Sequence, residues 1–274
     1  MSTVEFIDTH CHIQSAGNSL GERSTGEIWA KHPTVTGETL MTAAAAAGVS
    51  NVICVGCDLV DSQLASTFAA QQPTAWASIG IHPHEAKTVA HNNDAWQSFA
   101  KLATQPKVVA IGECGLDYFY NYSDKADQIA VLQLQLALAS EHNLPMIFHV
   151  REAFDDFWPL FDQYPGLRGV LHSFTDTQAN VEQAVKRGLY IGVNGIATFA
   201  KQTDQIAMYQ HIPLDNLLLE TDAPFLTPTP YRGKVNEPKH VVTVANFLAD
   251  LKNLEISELA AATTANAKNL FSLK

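Results

Sequence analysis

Short apolar and β-branched runs alternate with amphipathic stretches along the chain. The runs predict strands at 4–8, 51–56, 75–80, 108–112, 145–149, 169–172, 189–193 and 217–220. The stretches between them predict helices at 40–47, 61–71, 85–103, 124–142, 152–163, 177–187 and 201–211, with two more near 238–252 and 256–271. This alternation is typical of βαβ units and a parallel sheet. Eight strands, each followed by a helix, are the number that a closed barrel needs, so we predict an α/β fold, a single (β/α)8 TIM-type barrel.

The length of 274 residues fits one such barrel of about 250 residues. No linker, repeat or low-complexity tract interrupts the pattern, so we predict one domain over residues 1–274. Two loops stand out: 14–36, rich in Gly, Ser, Thr and charge, and 225–238, rich in proline. Loops at the carboxyl-terminal face of a barrel contact substrates. A plain solvated connection is the alternative for each.

Many of the strand-like runs end at, or just before, a potential metal ligand. The six residues are His10, His12, Glu113, His149, His172 and Asp222. In a barrel the carboxyl ends of the strands meet at one mouth, so these side chains are expected to converge there. A single histidine is ordinarily a packed core or surface residue. Six ligands at strand ends favour a metal centre and a metallohydrolase.

Six ligands are more than one four-coordinate catalytic ion needs, because catalytic zinc usually takes three. We therefore predict two divalent ions (Mg, Mn or Zn), with His10, His12 and Asp222 on the first. His149 and His172 would hold the second, and Glu113 would bridge the two. Ions ~3.5–4 Å apart can stabilise both the attacking and the leaving oxygen of a phosphoryl displacement. The expected catalytic residues are Glu113, as the bridge, and Asp222, whose free oxygen would serve as general base.

The net charge of −11, with only 17 scattered Lys and Arg, argues against a protein that tracks duplex nucleic acid, because such proteins usually carry a basic stripe. A nucleic acid substrate would be held locally, which favours an end or a short single strand. No signal sequence and no apolar run of ~18 residues is present, so we expect a cytoplasmic protein without membrane contact. Cys54 and Cys57 have the spacing of a redox pair or half a zinc site, but no second pair exists and the motif lies on an apolar strand. We interpret them as buried residues of a reduced protein.

Seven sequence blocks occur in order between residues 8 and 238. They are Asp8-Thr-His-Cys-His12, Gly80-Ile-His-Pro-His84, Gly112-Glu-Cys-Gly-Leu-Asp-Tyr118, His149-Val-Arg151, His172-Ser-Phe174, Glu220-Thr-Asp-Ala-Pro224 and Tyr231-Arg-Gly-Lys-Val-Asn-Glu-Pro238. Together they resemble the signature blocks of the TatD family of metal-dependent deoxyribonucleases, within the amidohydrolase superfamily. The resemblance implies a TIM-type barrel, divalent metal dependence and phosphodiester hydrolysis, commonly as a 3′-to-5′ exonuclease. The 14–36 stretch is longer than the family's first loop, which leaves the exact substrate open.

The resemblance also implies residue roles. The family's metal ligands map onto the six residues named above, and His82 and His84 match a block whose side chains reach toward the substrate phosphate. Arg151 and Arg232 are candidates to clamp a phosphate, and Tyr118, with Phe119, is a candidate to stack a base. The alternatives are a loop cap for one of the histidines, surface ion pairs for the arginines and ordinary packing for the aromatic residues.

Two other functions remain open at this point. One is a different amidohydrolase that acts on an amide, lactone or ester, including removal of D-amino acids from tRNA. A neutral amide would not need the phosphate-facing set His84, Arg151 and Arg232. The other is a non-catalytic metal-binding barrel, whose signature would be a missing ligand, and none is missing. The expected partner is nucleic acid, most simply a DNA end or single strand, with no obligate protein partner.

Overall fold

The computed structural model describes residues 4–17 and 23–273. Within these ranges eight parallel strands form one sheet whose order follows the chain. The strands are β1 (Phe6–Cys11), β2 (Val49–Val55), β3 (Ala75–Ile79), β4 (Val108–Asp117), β5 (Met146–Arg151), β6 (Gly169–Leu171), β7 (Tyr190–Val193) and β8 (Leu217–Leu219). Each of the eight predicted strands is confirmed. Helices alternate with them, as in the predicted (β/α)8 architecture.

The described helices are α1 (Arg23–Ala30), α2 (Gly37–Ala46), α3 (Leu59–Gln71), α4 (Asn93–Ala100), α5 (Lys125–His142), α6 (Phe154–Phe161), α7 (Gln178–Lys186), α8 (Thr203–His211), α9 (Val241–Lys252) and α10 (Ile256–Phe271). The stretch predicted as one helix over 85–103 is divided. A 3₁₀ turn over Pro83–Thr88 comes first, and α4 starts anew because the Asn92 side chain accepts a hydrogen bond from Ala95 N at 3.1 Å. None of the described helices is long and apolar enough to cross a bilayer.

The barrel closes where β1 meets the segment that follows β8. Thr9 Oγ1 donates to Leu219 O at 2.9 Å. Beyond it, Asp222 N donates to His10 O at 2.8 Å and His12 N donates to Ala223 O at 2.7 Å. These bonds join the first and last strands at their carboxyl ends. Closure of the barrel therefore brings His10 and His12 next to Asp222.

β1 and β4 extend further toward their carboxyl ends than predicted. The expected strand over 108–112 runs on to Asp117, and all ten of its residues are buried. The predicted strand ended at residue 112, before the polar Glu113, whereas in the structure the polar end of the strand is buried inside the barrel mouth. Glu113 therefore projects from within a strand. A Cβ at Gly80 would collide with the backbone of Gly112 and Glu113, so close packing of the β3 end also holds Glu113.

An apolar layer fills the barrel on the amino-terminal side of the ligand positions. Its strand residues include Ile7, Ile53 and Ile147, and Leu270 and Phe271 at the end of α10 pack against them. Ile7 precedes His10 and Ile147 precedes His149 along their strands. The hydrophobic core thus supports the mouth from below and leaves the polar residues at the carboxyl ends.

The 14–36 stretch corrects the sequence prediction in part. It was expected to be a loop without periodic structure, yet it contains α1. The side chain of Trp29 in this helix is 1% exposed, and its Nε1 donates to His12 O at 2.9 Å. The helix was missed because it is short and only two large apolar residues, Ile28 and Trp29, mark it in the sequence. Residues 18–22 of the stretch lie outside the described residues. The described part packs on the end of β1 beside the mouth.

Candidate metal centre

All six predicted ligands meet at the carboxyl-terminal mouth. His10 Nε2 lies 3.3 Å from Glu113 Oε2 and 3.7 Å from Asp222 Oδ1. His12 Nε2 lies 3.3 Å from the same Asp222 oxygen. On the other side of Glu113, its Oε1 lies 3.0 Å from His149 Nδ1 and 3.9 Å from His172 Nε2. The two oxygens of Glu113 therefore face different histidines, which is the arrangement that a bridging carboxylate needs.

Four overlapping groups of described residues have ligand atoms within 4.8 Å of one another: His10 with His12 and Asp222, His10 with Glu113 and His172, His82 with Glu113 and His149, and His12 with Cys57 and Asp61. The first matches the set predicted for one ion. His149 and His172, predicted together on the second ion, each group with Glu113. His82 Nε2 lies 3.5 Å from Glu113 Oε1, so His82 is deeper in the mouth than its neighbour His84.

The histidine nitrogens that point away from the centre are largely anchored. His12 Nδ1 lies 2.8 Å from Val55 O, and His149 Nε2 lies 3.0 Å from Asp117 Oδ2. Glu220 Oε1 lies 2.9 Å from His172 Nδ1, off the direction of a hydrogen bond. Metal-binding histidines typically have such an outer partner, which fixes ring orientation and tautomer. His10 Nδ1 is buried without a hydrogen-bond partner among the described residues.

The backbone at Asp222 is held in a left-handed conformation, with φ of +59°. This is uncommon for a residue with a side chain and is found where the surroundings enforce it, often at functional sites. Two bonds enforce it here, from Asp222 N to His10 O and from Phe225 N to Asp222 O, each 2.8 Å. Asn236, fully buried, donates to Thr221 O and Phe225 O at 2.8 and 2.6 Å. The 225–238 loop is thereby fixed beside Asp222.

The carboxylates dominate the electrostatics of the centre. Burial lowers the pKa of His12, but Asp222 and Glu113 outweigh it and raise that pKa to about 10. Burial likewise lowers the pKa of His149 and His172, and nearby carboxylates raise each to about 9. Burial raises the pKa of Glu113, yet the surrounding histidines hold it well below its usual range. Buried carboxylates that stay ionised among histidines form a donor set that fits divalent transition metals or magnesium.

Three of the five predicted substrate-facing residues lie next to the centre. His82 is described above, and His84 Nε2 lies 2.9 Å from Asp117 Oδ2. Arg151 ends β5, paired with Asp117 at the end of β4, and its guanidinium lies 4.0 Å from the ring centroid of Phe119. These residues form one edge of the mouth.

The other two are held by neighbours. The Tyr118 hydroxyl donates to Asp156 Oδ2 at 2.7 Å, and Lys125 Nζ lies 3.7 Å from its ring centroid. Arg232 Nη1 donates to Thr227 O at 3.1 Å, within its own loop, and its guanidinium stacks on Phe199 at 3.9 Å. The structure therefore does not direct either side chain at the six ligands.

Several residues of the centre escaped sequence analysis. Asp117 and Glu220 stand behind ligand histidines, and Cys57 Sγ lies 3.8 Å from Glu113 Oε2. Asp8 accepts from Thr221 N and Thr221 Oγ1 at 2.9 and 2.6 Å, and burial raises its pKa to about 8. Asp8, Asp117 and Glu220 all lie inside the sequence blocks that carry the ligands, and that proximity was the available signal. Cys54 is buried in β2 and Cys57 just beyond it.

A (β/α)8 barrel with histidines and carboxylates converging at its carboxyl-terminal mouth defines a metal-dependent hydrolase. The family model described as TatD related DNase matches residues 7–272. The chain therefore belongs to the family of TatD-related DNases, and it is a metal-dependent hydrolase that cleaves ester bonds.

Individual relatives support the same family assignment. The chain is 37% identical to "Uncharacterized metal-dependent hydrolase YabD" of Bacillus subtilis over 268 residues, covering 97% of this chain and 98% of that protein. It is 36% identical to "3'-5' ssDNA/RNA exonuclease TatD" of Citrobacter koseri over 250 residues, covering 86% and 93%. Among solved structures, the TatD homologue YJJV of Escherichia coli K12 superposes with a TM-score of 0.84 at 28% identity, covering 99% of this chain and 100% of that chain.

Proposed function

We propose that the protein is a 3′-to-5′ exonuclease that hydrolyses phosphodiesters at single-stranded or frayed ends of nucleic acid, DNA above all. The observation that carries the proposal is the meeting of four histidines with Glu113 and Asp222 at one point of the barrel mouth. The relative named as a single-strand exonuclease supports the same reaction.

We assign two divalent ions to this centre, Mg, Mn or Zn. His10, His12 and Asp222 would hold the first, His149 and His172 the second, and Glu113 would bridge them. The contacts of Glu113 Oε2 with His10 and of Oε1 with His149 support the bridge. Bound divalent ions would acidify water and neutralise phosphate charge, the chemistry that phosphodiester hydrolysis requires.

Side chains of the protein would supply proton transfer and phosphate binding. Asp222, whose side chain remains partly exposed at 14%, would take the proton of the attacking water as general base. His82 and His84 would contact the phosphate from the β3 side, and Arg151 from the β5 end, steadying the negative charge that grows in the transition state. Tyr118 and Arg232 do not point at the six ligands, so they would contact a base and a phosphate of the substrate further out, at the rim of the mouth.

Charge limits how the substrate is held. With a net charge of −11, the surface repels long polyanions, so binding would depend on the ions and on a few local cations. This supports a DNA end or single strand as the partner and disfavours sliding on duplex. We place the reaction in the cytoplasm.

The test is metal-reconstituted protein against end-labelled single- and double-stranded DNA and RNA, beside a generic ester substrate. We expect one-nucleotide shortening of 3′ ends, faster on single strands, abolished by chelation and restored by added metal. Hydrolysis of the ester without cleavage of any oligonucleotide would contradict the proposal and favour another amidohydrolase reaction. Metal content by mass spectrometry of the active sample tests the two-ion assignment separately.

A further inference from the structure

Three aromatic side chains are exposed at one place beside the metal centre. Among the described residues, Phe119, Tyr120 and Tyr122 are 51%, 46% and 59% exposed. Tyr120 and Tyr122 lie nearly parallel, with an interplanar angle of 20°, and the Phe119 ring meets Tyr120 edge-on. Exposed apolar rings grouped on a surface mark an interaction site, because exposing a patch of apolar surface to water is unfavourable. We call these three residues the aromatic platform.

The segment that bears the platform is fixed. Asp117 Oδ1 accepts hydrogen bonds from Phe119 N and Tyr120 N, both at 3.0 Å. Ser123 Oγ donates to His84 O at 2.8 Å, and Gln128 Nε2 donates to Asp117 O and Ser123 O at 3.1 and 2.8 Å. The rings are therefore presented to solvent by a preorganised turn, which lowers the entropic cost of binding a ligand.

The same residues link the platform to the metal centre. While Asp117 Oδ1 holds the turn, its Oδ2 contacts both His84 and His149. The His84 ring packs edge-on against Tyr122 and Tyr120, with centroids 4.7 and 5.6 Å apart. A ligand on the platform would thus lie beside His84, which shares Asp117 with His149, a residue assigned to the ions.

Cations surround the platform although the protein is acidic. The Arg151 guanidinium lies 4.0 Å from the Phe119 ring centroid and 4.9 Å from that of Tyr120. Lys87 Nζ donates to Tyr122 O at 3.0 Å, and Lys125 lies over Tyr118. Flat rings beside positive charge complement a chain of bases and phosphates, the combination that single-strand binding proteins use.

We propose that the aromatic platform stacks unpaired bases of the nucleic acid substrate, so that the enzyme recognises bases as well as phosphates next to its metal centre. The inference rests on the proposed nuclease function and adds a base-binding subsite to it. Because every base has a flat face, this subsite would accept many sequences while excluding bases that are paired in a duplex.

The test compares two single-stranded oligonucleotides that differ only in whether the last nucleotides at the 3′ end carry bases or are abasic. Leucine at each platform position removes the ring and keeps an apolar side chain, whereas Tyr120→Phe and Tyr122→Phe keep the ring. We expect each leucine variant to lower kcat/KM on the normal oligonucleotide by roughly five- to 150-fold, the scale of losing one stacked base. The phenylalanine variants should stay within about twofold. All variants should converge with wild type on the abasic oligonucleotide.

A binding measurement separates this inference from the nuclease proposal. An oligonucleotide with 2-aminopurine at its 3′ end and non-hydrolysable linkages loses fluorescence when the base stacks, and it can be titrated with metal-loaded protein. We expect quenching by wild type and by Tyr190→Leu, which makes the same change at the start of β7, on the opposite end of the barrel. Quenching lost in the leucine platform variants supports the platform even if no cleavage occurs. Undiminished quenching, or equal kinetic losses on both oligonucleotides, overturns it.

Discussion

Asp117 Oδ2 lies 3.0 Å from Nε2 of His149, on the side of the ring opposite to Glu113. Asp117 is fully buried, and although burial raises its pKa, hydrogen bonds from His149 and His84 lower it far below the usual range. The carboxylate is therefore ionised and holds His149 with Nδ1 directed at the centre. This is the carboxylate–histidine arrangement that orients metal ligands.

Asp117→Asn should weaken metal binding about 10- to 100-fold, the usual effect of removing such an outer partner. The amide keeps the shape but loses the charge that fixes the histidine. Competition with a chelator, read as metal affinity, measures the change without depending on activity. Asp162→Asn, which alters an exposed ion pair with Arg187, is the control. Equal affinity for both variants would show that Asp117 does not orient His149.

Glu113→Ala should lower turnover by at least about 100-fold, on the scale of losing a charge-stabilising group. It removes the carboxylate whose two oxygens face different histidines, so the metal content should also fall below that of wild type. Glu113→Gln separates shape from charge and should likewise lose metal. Mass spectrometry of the metal and a single-turnover nuclease assay measure the two effects. Glu141→Ala, an exposed change on α5, is the control. Full turnover with full metal content would contradict the bridging role.

The fold and the ligand set could be predicted because both depend on a local pattern. Each ligand lies at or near the end of an apolar run, and a barrel brings strand ends together whatever the loops do. His10 and Asp222 are far apart in sequence, yet the order of strands alone predicts that they meet.

What escaped prediction depends on burial and on long-range contacts. β4 continues through Glu113 to Asp117, and its polar end is buried by neighbouring strands. The polarity of the sequence alone does not reveal this burial. Sequence named Tyr118 and Phe119 as candidate stacking rings, but it could not show the contacts of Tyr118 with Lys125 and Asp156, which are set by elements that follow it. Helix α1 was missed because a single buried tryptophan anchors it.

Trp29→Phe should lower the free energy of unfolding by about 0.5–1.5 kcal/mol, the net contribution of one hydrogen bond, because His12 O then keeps only the long bond of 3.5 Å from Ser15 Oγ. Phenylalanine keeps most of the packing, but the bond from Nε1 to His12 O is lost. Urea unfolding of the purified protein measures the change. Trp96→Phe, at a half-buried residue beside Phe99, is the matched substitution and should cost less. If the two variants are equally stable, α1 contributes little through this bond.

Arg151→Ala tests whether the edge of the mouth recognises phosphate. The guanidinium is exposed at the end of β5 and lies over Phe119, so it is free to meet a ligand while its plane is held by the ring. Removing it should lower kcat/KM on oligonucleotides by roughly ten- to a thousand-fold, the scale of losing one donor to transition-state charge. A neutral ester has no phosphate to hold and should lose much less. Arg187→Ala is the matched control, because Arg187 also stacks on an aromatic ring, Trp158, and pairs with an exposed acid. Equal losses of kcat/KM on oligonucleotide and ester in Arg151→Ala would mean that Arg151 supports the fold, and the phosphate role would be withdrawn.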